Sequence, residues 1–339
     1  MTTLFNETPR LVLFEGLPGS GKSTAAQQLL LAERAAGRRR CWWYEEQIDH
    51  PLALFHDAAS LHAVIADVFG GDHRRVIAVA LERYERLADK VMEGERLVID
   101  GQLVGGLGWT LHAADVDTVE IGAYLQTVAE VVANAGGVVV LLAQTDPAVA
   151  LHDLLDRRGT EWSDAFVART LGSPYASRRG LEGEAGAAET WSAYQRLAVD
   201  SLAGHAGVLI IDDADGLSPR SEAITAALQL PTQLDTAAAS ADLDHVGTYT
   251  AASGAATLKI GADHDHLTID GVAGVWPHTR LLRVGSGSFV VESLPVTVTL
   301  AATGDGATIE LACPALNGTT PSGVFTKADN SRSRLLDRN

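Results

Sequence analysis

The stretch FEGLPGSGKST, residues 14–24, decides how the chain is read. Gly16, Gly21, Lys22 and Ser23 stand at the Gly-x-x-x-x-Gly-Lys-Ser spacing of a phosphate-binding loop. The apolar run Leu11-Val12-Leu13-Phe14 before it reads as a buried strand, and Ala25 to Leu31 after it is a run of good helix formers. Strand, loop and helix stand in the order such a loop requires. Glycines at 16, 19 and 21 admit backbone conformations that turn successive N–H groups inward, and the following helix adds the positive end of its dipole. The candidate nucleotide-binding residues are therefore Gly16, Pro18, Gly19, Ser20, Gly21, Lys22, Ser23 and Thr24. Lys22 is placed to meet the β- and γ-phosphates, Ser23 to ligate Mg²⁺, and Thr24 to face the base or simply to pack.

Outward from this loop, the 339 residues suffice for two domains. Apolar runs at 11–14, 41–44, 96–100, 137–143 and 207–212 read as strands, and helical patterns at 24–36, 76–93 and 119–135 fill gaps between them. Continuous apolar strands separated by amphipathic helices predict an α/β, doubly wound, parallel five-stranded sheet with the phosphate loop after its first strand. This domain is read over residues 1–231, followed by an Ala-, Asp- and Ser-rich linker over 232–242. From 243 to 325 the pattern changes to short alternating pieces, beginning with Gly247–Thr250 and ending with Ala307–Leu311. Seven such pieces with Gly or Asp turns predict a second, smaller antiparallel β-sheet or barrel domain. The polar stretch 326–339 reads as a frayed tail.

The formal net charge of −17 argues against nucleic acid or an anionic membrane as the main partner. The first ten residues lack a basic start followed by an apolar stretch, and no run approaches the roughly eighteen apolar residues of a membrane span. A cytoplasmic location is expected. Cys41 and Cys313 lie far apart, so neither a disulfide framework nor a zinc site is signalled.

Over about residues 9–230 the chain resembles the P-loop kinases that include thymidylate kinase, the deoxynucleoside kinases and antibiotic phosphotransferases such as chloramphenicol phosphotransferase. The phosphate loop is the specific match, and three others are positional. Glu45-Glu46, followed by His50-Pro51, stands where deoxynucleoside kinases carry the carboxylate that takes the proton from the acceptor hydroxyl. Asp100-Gly101-Gln102 stands where such kinases place an acidic residue near Mg²⁺ and the acceptor. Arg157-Arg158-Gly159-Thr160-Glu161 is similar to their arginine-rich lid. One departure is that Asp-Gly replaces the Glu-Arg or Asp-Arg pair typical after the third strand. The VGTYTAASG opening of the second domain, residues 246–254, is similar to the small lipocalin-like β-domains appended to some bacterial enzymes.

Phosphoryl transfer needs positioning, charge neutralisation and a proton acceptor. Glu45 is the first candidate base, with Glu46 next, against the competing reading of a solvated loop pair. Asp100 can bind Mg²⁺ or serve as the base, or cap a turn. Arg157 and Arg158 can stabilise the transferring group, or form a solvated face with Arg169, Arg178 and Arg179 further along. Trp42, Trp43 and Tyr44 could wall an acceptor, but core packing is the stronger reading, and Trp109, Trp162 and Tyr175 are equally ambiguous. Asp146 reads as a turn residue beside Pro147. His264 and His266 lack a third metal ligand, and Thr326-Lys327-Ala328-Asp329 imitates a guanine-reading motif by chance, so ATP is preferred over GTP. The leading expectation is an ATP- and Mg²⁺-dependent kinase acting on a hydroxyl of a small molecule: a nucleoside, a sugar or an antibiotic in a resistance-type reaction. The alternative is a nucleotide-dependent ATPase or switch whose β-domain binds a protein partner.

Overall fold

The computed structural model describes residues 7–55, 57–213, 217–230, 238–272, 274–303, 306–317 and 321–327. The chain divides into two compact units, Met1–Thr232 and Gln233–Asn339. Most of the expected linker, residues 232–237, and the tail from 328 lie outside the described residues.

The first unit is built on β1 (Leu11–Gly16), β2 (Cys41–Trp43), β3 (Leu97–Asp100), β4 (Val138–Leu142) and β5 (Val208–Ile211). They form one sheet in the order β2-β3-β1-β4-β5, every neighbouring pair parallel. Every residue of β1, β3 and β4 is buried, as required of strands covered on both faces. The edge strands β2 and β5 are only partly covered. Among the described residues ten α-helices accompany them: α1 (Lys22–Ala35), α2 (Ala58–Phe69), α3 (His73–Met92), α4 (Trp109–Ala113), α5 (Thr118–Asn134), α6 (Pro147–Arg158), α7 (Thr160–Leu171), α8 (Pro174–Arg178) and α9 (Gly183–Leu202) between the strands, and α10 (Leu217–Ala227) after the last. Their termini follow from sequence. Asp146 caps α6 by accepting from the N–H groups of Ala148 and Val149, with Pro147 in the first turn, and Asp117 caps α5 through Val119 N–H.

At the end of the sheet away from the phosphate loop, Glu33 is completely buried beside Arg38 at 2.9 Å, Arg96 at 3.0 Å and Arg40 at 3.7 Å. Burial works against its charge, but the Arg38 hydrogen bond and the charges of Arg40 and Arg96 prevail and hold the carboxyl below its ordinary range. Arg40 also donates to the carbonyls of Pro9, Arg10 and Leu97, tying the entrances of β1 and β3 together.

The second unit is a closed antiparallel barrel of β6 (Gly247–Ala251), β7 (Thr257–Asp263), β8 (His266–Asp270), β9 (Thr279–Gly285), β10 (Ser288–Val291), β11 (Thr297–Thr303), β12 (Gly306–Ala312) and β13 (Gly323–Lys327). Its strands follow one another around the ring, and β13 closes it by pairing with both β12 and β6. The alternating pieces account for β6 to β12. The closing strand runs through Thr326 and Lys327, two residues beyond the 325 boundary that the sequence pattern predicts. Only Phe325 of its five residues is buried, so it carries too little apolar pattern to be recognised alone. The barrel interior is filled by side chains such as Tyr249, Ile260, Leu281, Phe289, Val298 and Ile309.

Cys41 is exposed in the first unit and Cys313 half-buried in the second, and both are free thiols. Among the described residues no helix is long and apolar enough to cross a membrane.

Because Phe325 is the apolar anchor of the closing strand, Phe325→Ala should destabilise the barrel unit by about 3–5 kcal/mol. Urea unfolding followed by near-ultraviolet dichroism measures this, and an unchanged midpoint would show that the barrel does not depend on that strand.

Candidate active site

The phosphate loop leaves β1 at its C-terminal end, in the middle of the sheet, and runs directly into α1. Gly16 has φ +146°, and a Cβ there would lie 2.5 Å from the Leu142 carbonyl oxygen and 2.7 Å from Ser20 Oγ. No side chain fits at that point. Side chains engage the loop's carbonyls: Lys22 Nζ donates to Leu17 O at 3.2 Å and Gln144 Nε2 to Pro18 O at 3.4 Å. Gln144 is itself fixed, because its backbone N–H and carbonyl both bond the side-chain amide of Gln195 on α9.

Asp100 ends β3 beside this loop and has no exposed surface. Its Oδ1 accepts from Trp42 Nε1 and from the Glu45 N–H, each at 3.2 Å, while its Oδ2 meets no donor in full hydrogen-bond geometry among the described residues. Burial first, and then the charge of Glu45, raise its pKa to about 7 against the opposing effects of Ser23, Lys22 and Trp42. Gly101 follows with φ +73°, and a Cβ there would collide with Glu45 Oε2 and lie 3.1 Å from Lys22 Cε. The Glu45 carboxylate therefore takes up the space a side chain at 101 would need, with the Lys22 stem also next to it. That contact supplies a physical reason for glycine where the kinase resemblance leads one to expect arginine: a side chain at 101 would occupy the place of Glu45.

Glu15 was not singled out in the sequence, yet it organises the same corner. It is fully buried, and its carboxylate accepts from the N–H groups of Gln102 (3.1 Å), Leu103 (2.8 Å) and Val104 (2.9 Å). These open a π-helical turn, Leu103–Gly108, that leads into α4. Gln102 Nε2 in turn donates to the Glu45 carbonyl at 3.0 Å. A signal was available, since Glu15 is the single charged residue of an otherwise apolar central strand. Its pKa is pushed up to about 7 by burial, opposed by the Leu103 and Val104 N–H groups and the charge of Lys22.

No family model matches this chain, and no curated protein matches it in sequence. In structure it is similar to thymidylate kinase from Ehrlichia chaffeensis, at 11% identity and a TM-score of 0.32, over 66% of this chain and 100% of that one.

The arginine pair at the end of α6 divides. Arg158 is half-buried, with its guanidinium 4.9 Å from the centre of the Trp162 ring, and burial lowers its pKa against the charges of Tyr44, Glu46 and Glu45. Arg157 is exposed and bonds back to the Asp153 carbonyl of its own helix. The geometry thus brings Arg158, and not Arg157, toward the exit of β2. Glu46 is exposed at that exit, and its pKa is raised by desolvation and by Glu45.

Trp42 is buried as the donor to Asp100, whereas Trp43 packs edge-on against His50 with centroids 5.8 Å apart. Trp109 lies flat on Trp191 at 3.4 Å, and Phe166 and Trp162 continue the stack. Tyr175 closes on the buried His112 at 4.0 Å, so these aromatics join helices α4, α7, α8 and α9 to one another. Arg169 lies over Phe166, while Arg178 and Arg179 pair with Asp115. His264 and His266 each sit beside a neighbouring aspartate, and no cluster of three or more metal-ligating side chains is found among the described residues.

The raised Glu15 pKa has a definite sign. Ionising Glu15 costs more in the folded than in the unfolded chain, so its contribution to stability is greatest below about 4.5 and declines as pH rises toward about 7. Glu15→Gln should flatten that decline in urea midpoints measured from pH 4.5 to 7.5, and an unchanged slope would show that Glu15 does not titrate in this window.

Proposed function

We propose that this chain transfers the γ-phosphoryl group of ATP to a hydroxyl of a small molecule such as a nucleoside, a sugar or a hydroxylated antibiotic. The observation that carries the proposal is Asp100, a carboxylate without exposed surface at the rim of a phosphate-binding loop, whose Oδ2 meets no donor in full hydrogen-bond geometry among the described residues and has the Ser23 hydroxyl beside it. A buried carboxylate oxygen without a well-formed hydrogen bond is costly, and a cation is the partner that removes the cost. Asp100 and the nearby Ser23 hydroxyl fit Mg²⁺ and would hold it. When bound, Mg²⁺ supplies neutralisation of charge on the phosphate oxygens.

The remaining roles fall to side chains already in place. Lys22 is buried and bonded only 3.2 Å away to Leu17 O, from which it can turn to the β- and γ-phosphates. Glu45, fixed through its own N–H on Asp100 and its carbonyl on Gln102, accepts the proton of the acceptor hydroxyl. The freed oxygen bonds to the γ-phosphorus as the bond to the β–γ bridging oxygen breaks, and ADP leaves with that electron pair. Arg158 offsets charge on the group in transit, a role that its position supports better than that of Arg157.

Lys22→Ala is expected to abolish turnover. Glu45→Gln should keep Mg·ATP binding but lower kcat by about 10²-fold or more. A fully active Glu45→Gln with an inactive Asp100→Asn would move the base to Asp100.

Mass spectrometry of pooled nucleosides, sugars and antibiotics incubated with the protein and Mg·ATP tests the reaction itself. A mass gain of one phosphoryl group in any of them supports the proposal. ATP binding without such a product, accompanied by hydrolysis that a protein partner stimulates, would replace it with the ATPase reading.

A further inference from the structure

We infer that Arg220, on the last helix of the first unit, is a positioning residue that holds the phosphate loop in its anion-binding conformation. The inference rests on the reading of residues 16–24 as a nucleotide-binding loop and deepens it. Arg220 is 5% exposed, and its guanidinium reaches three backbone carbonyls. Nη1 donates to Ser20 O at 3.0 Å, and Nη2 donates to Ala143 O and, at 3.3 Å, to Ile211 O. These carbonyls belong to the loop, to the exit of β4 and to the last residue of β5, so one side chain ties the loop to two neighbouring strands.

The geometry of the peptide unit gives this tie its consequence. In a trans peptide the C=O of one residue and the N–H of the next point in opposite directions. Anchoring Ser20 C=O on Arg220 therefore directs Gly21 N–H to the other side, where a phosphate would lie. Gln144 acts in the same sense on Pro18 C=O, and hence on Gly19 N–H, but as a neutral donor at 3.4 Å. A guanidinium suits the stronger role because its planar fork offers several donors in fixed directions and its charge strengthens each bond.

Burying that charge has a cost, which Asp213 offsets from 3.7 Å while also accepting from Thr145 N–H at 2.7 Å. The arrangement joins residues 200 positions apart in sequence around a loop that binds its ligand through the backbone.

Isothermal titration of wild type, Arg220→Met and Arg220→Lys with Mg·ATP, and separately with Mg·tripolyphosphate, tests the inference. Arg220→Met should weaken both ligands by about 10- to 100-fold. Arg220→Lys, which keeps the charge but cannot span three carbonyls, should lose less than that. Equal loss for the two ligands is the signature of an effect on the phosphate-binding backbone rather than on the base. If Arg220→Met does not fold, the lysine variant carries the test.

Variants that bind both ligands like wild type, with only a lowered melting temperature in the absence of ligand, would overturn the role of Arg220 and leave the nucleotide-binding loop standing. A loss confined to ATP would also overturn it. Wild-type protein that binds neither ligand would instead overturn the reading of the loop, and this inference with it.

Discussion

A carboxylate buried at the end of the central strand is the constraint from which the rest of the corner follows. Glu15 lies where β1 becomes the phosphate loop, out of contact with water, and meets three N–H groups at the start of the π-helical turn after β3. Satisfying it draws residues 102–104 against β1. That in turn places Gln102 where its amide holds the Glu45 carbonyl, and leaves Asp100 where its Oδ1 holds the Glu45 N–H. The backbone of Glu45 is thus gripped at both its N–H and its carbonyl by side chains at and just after the end of β3.

Around this frame the charges are concentrated and poorly neutralised. Glu15 and Asp100 are both raised to about 7, chiefly by burial, with Lys22 as the cation that moderates each of them. Keeping these carboxylates buried costs stability, since burial penalises their charged forms. Gly101 belongs to the same economy of space, because its missing side chain leaves room for the Glu45 carboxylate, with the Lys22 stem also next to it. Arg158 reaches the group from α6, on a helix end whose neighbouring arginine turns away.

The helices beyond this corner are joined by aromatic contact, with the Arg178 and Arg179 pairs to Asp115 beside it. Trp109, Trp191, Phe166 and Trp162 stack in succession, and the fully buried Tyr194 donates to the Val104 carbonyl at 2.7 Å. The π-helical turn is therefore held from the β1 side by Glu15 and from α9 by Tyr194. The barrel unit depends on a different principle. It has no sheet edge to protect, because its eighth strand pairs on both sides, and its interior is occupied by its own side chains.

Local pattern was enough for the five strands of the sheet, the glycine-rich turn into α1, the helices α1, α3 and α5 and seven strands of the second unit, whereas α9, as long as α3, has no such local signature. Each of the former announces itself within a few neighbouring residues, through an unbroken apolar run, a glycine spacing or a period of two. The closing strand did not, since one buried phenylalanine in five residues makes no period, and its identity as a strand comes from hydrogen bonds to β12 and β6. Glu45, Asp100, Lys22 and Arg158 were legible as residue types in suggestive places, but neighbouring positions in sequence could not separate Arg158 from Arg157. Glu15 stands out as a lone charge in an apolar strand, but its partners, like those of Arg220, are not legible in the sequence. Those partners lie 87 to 89 residues away in one case and 9, 77 and 200 in the other, and such contacts exist only once the parallel strands are side by side.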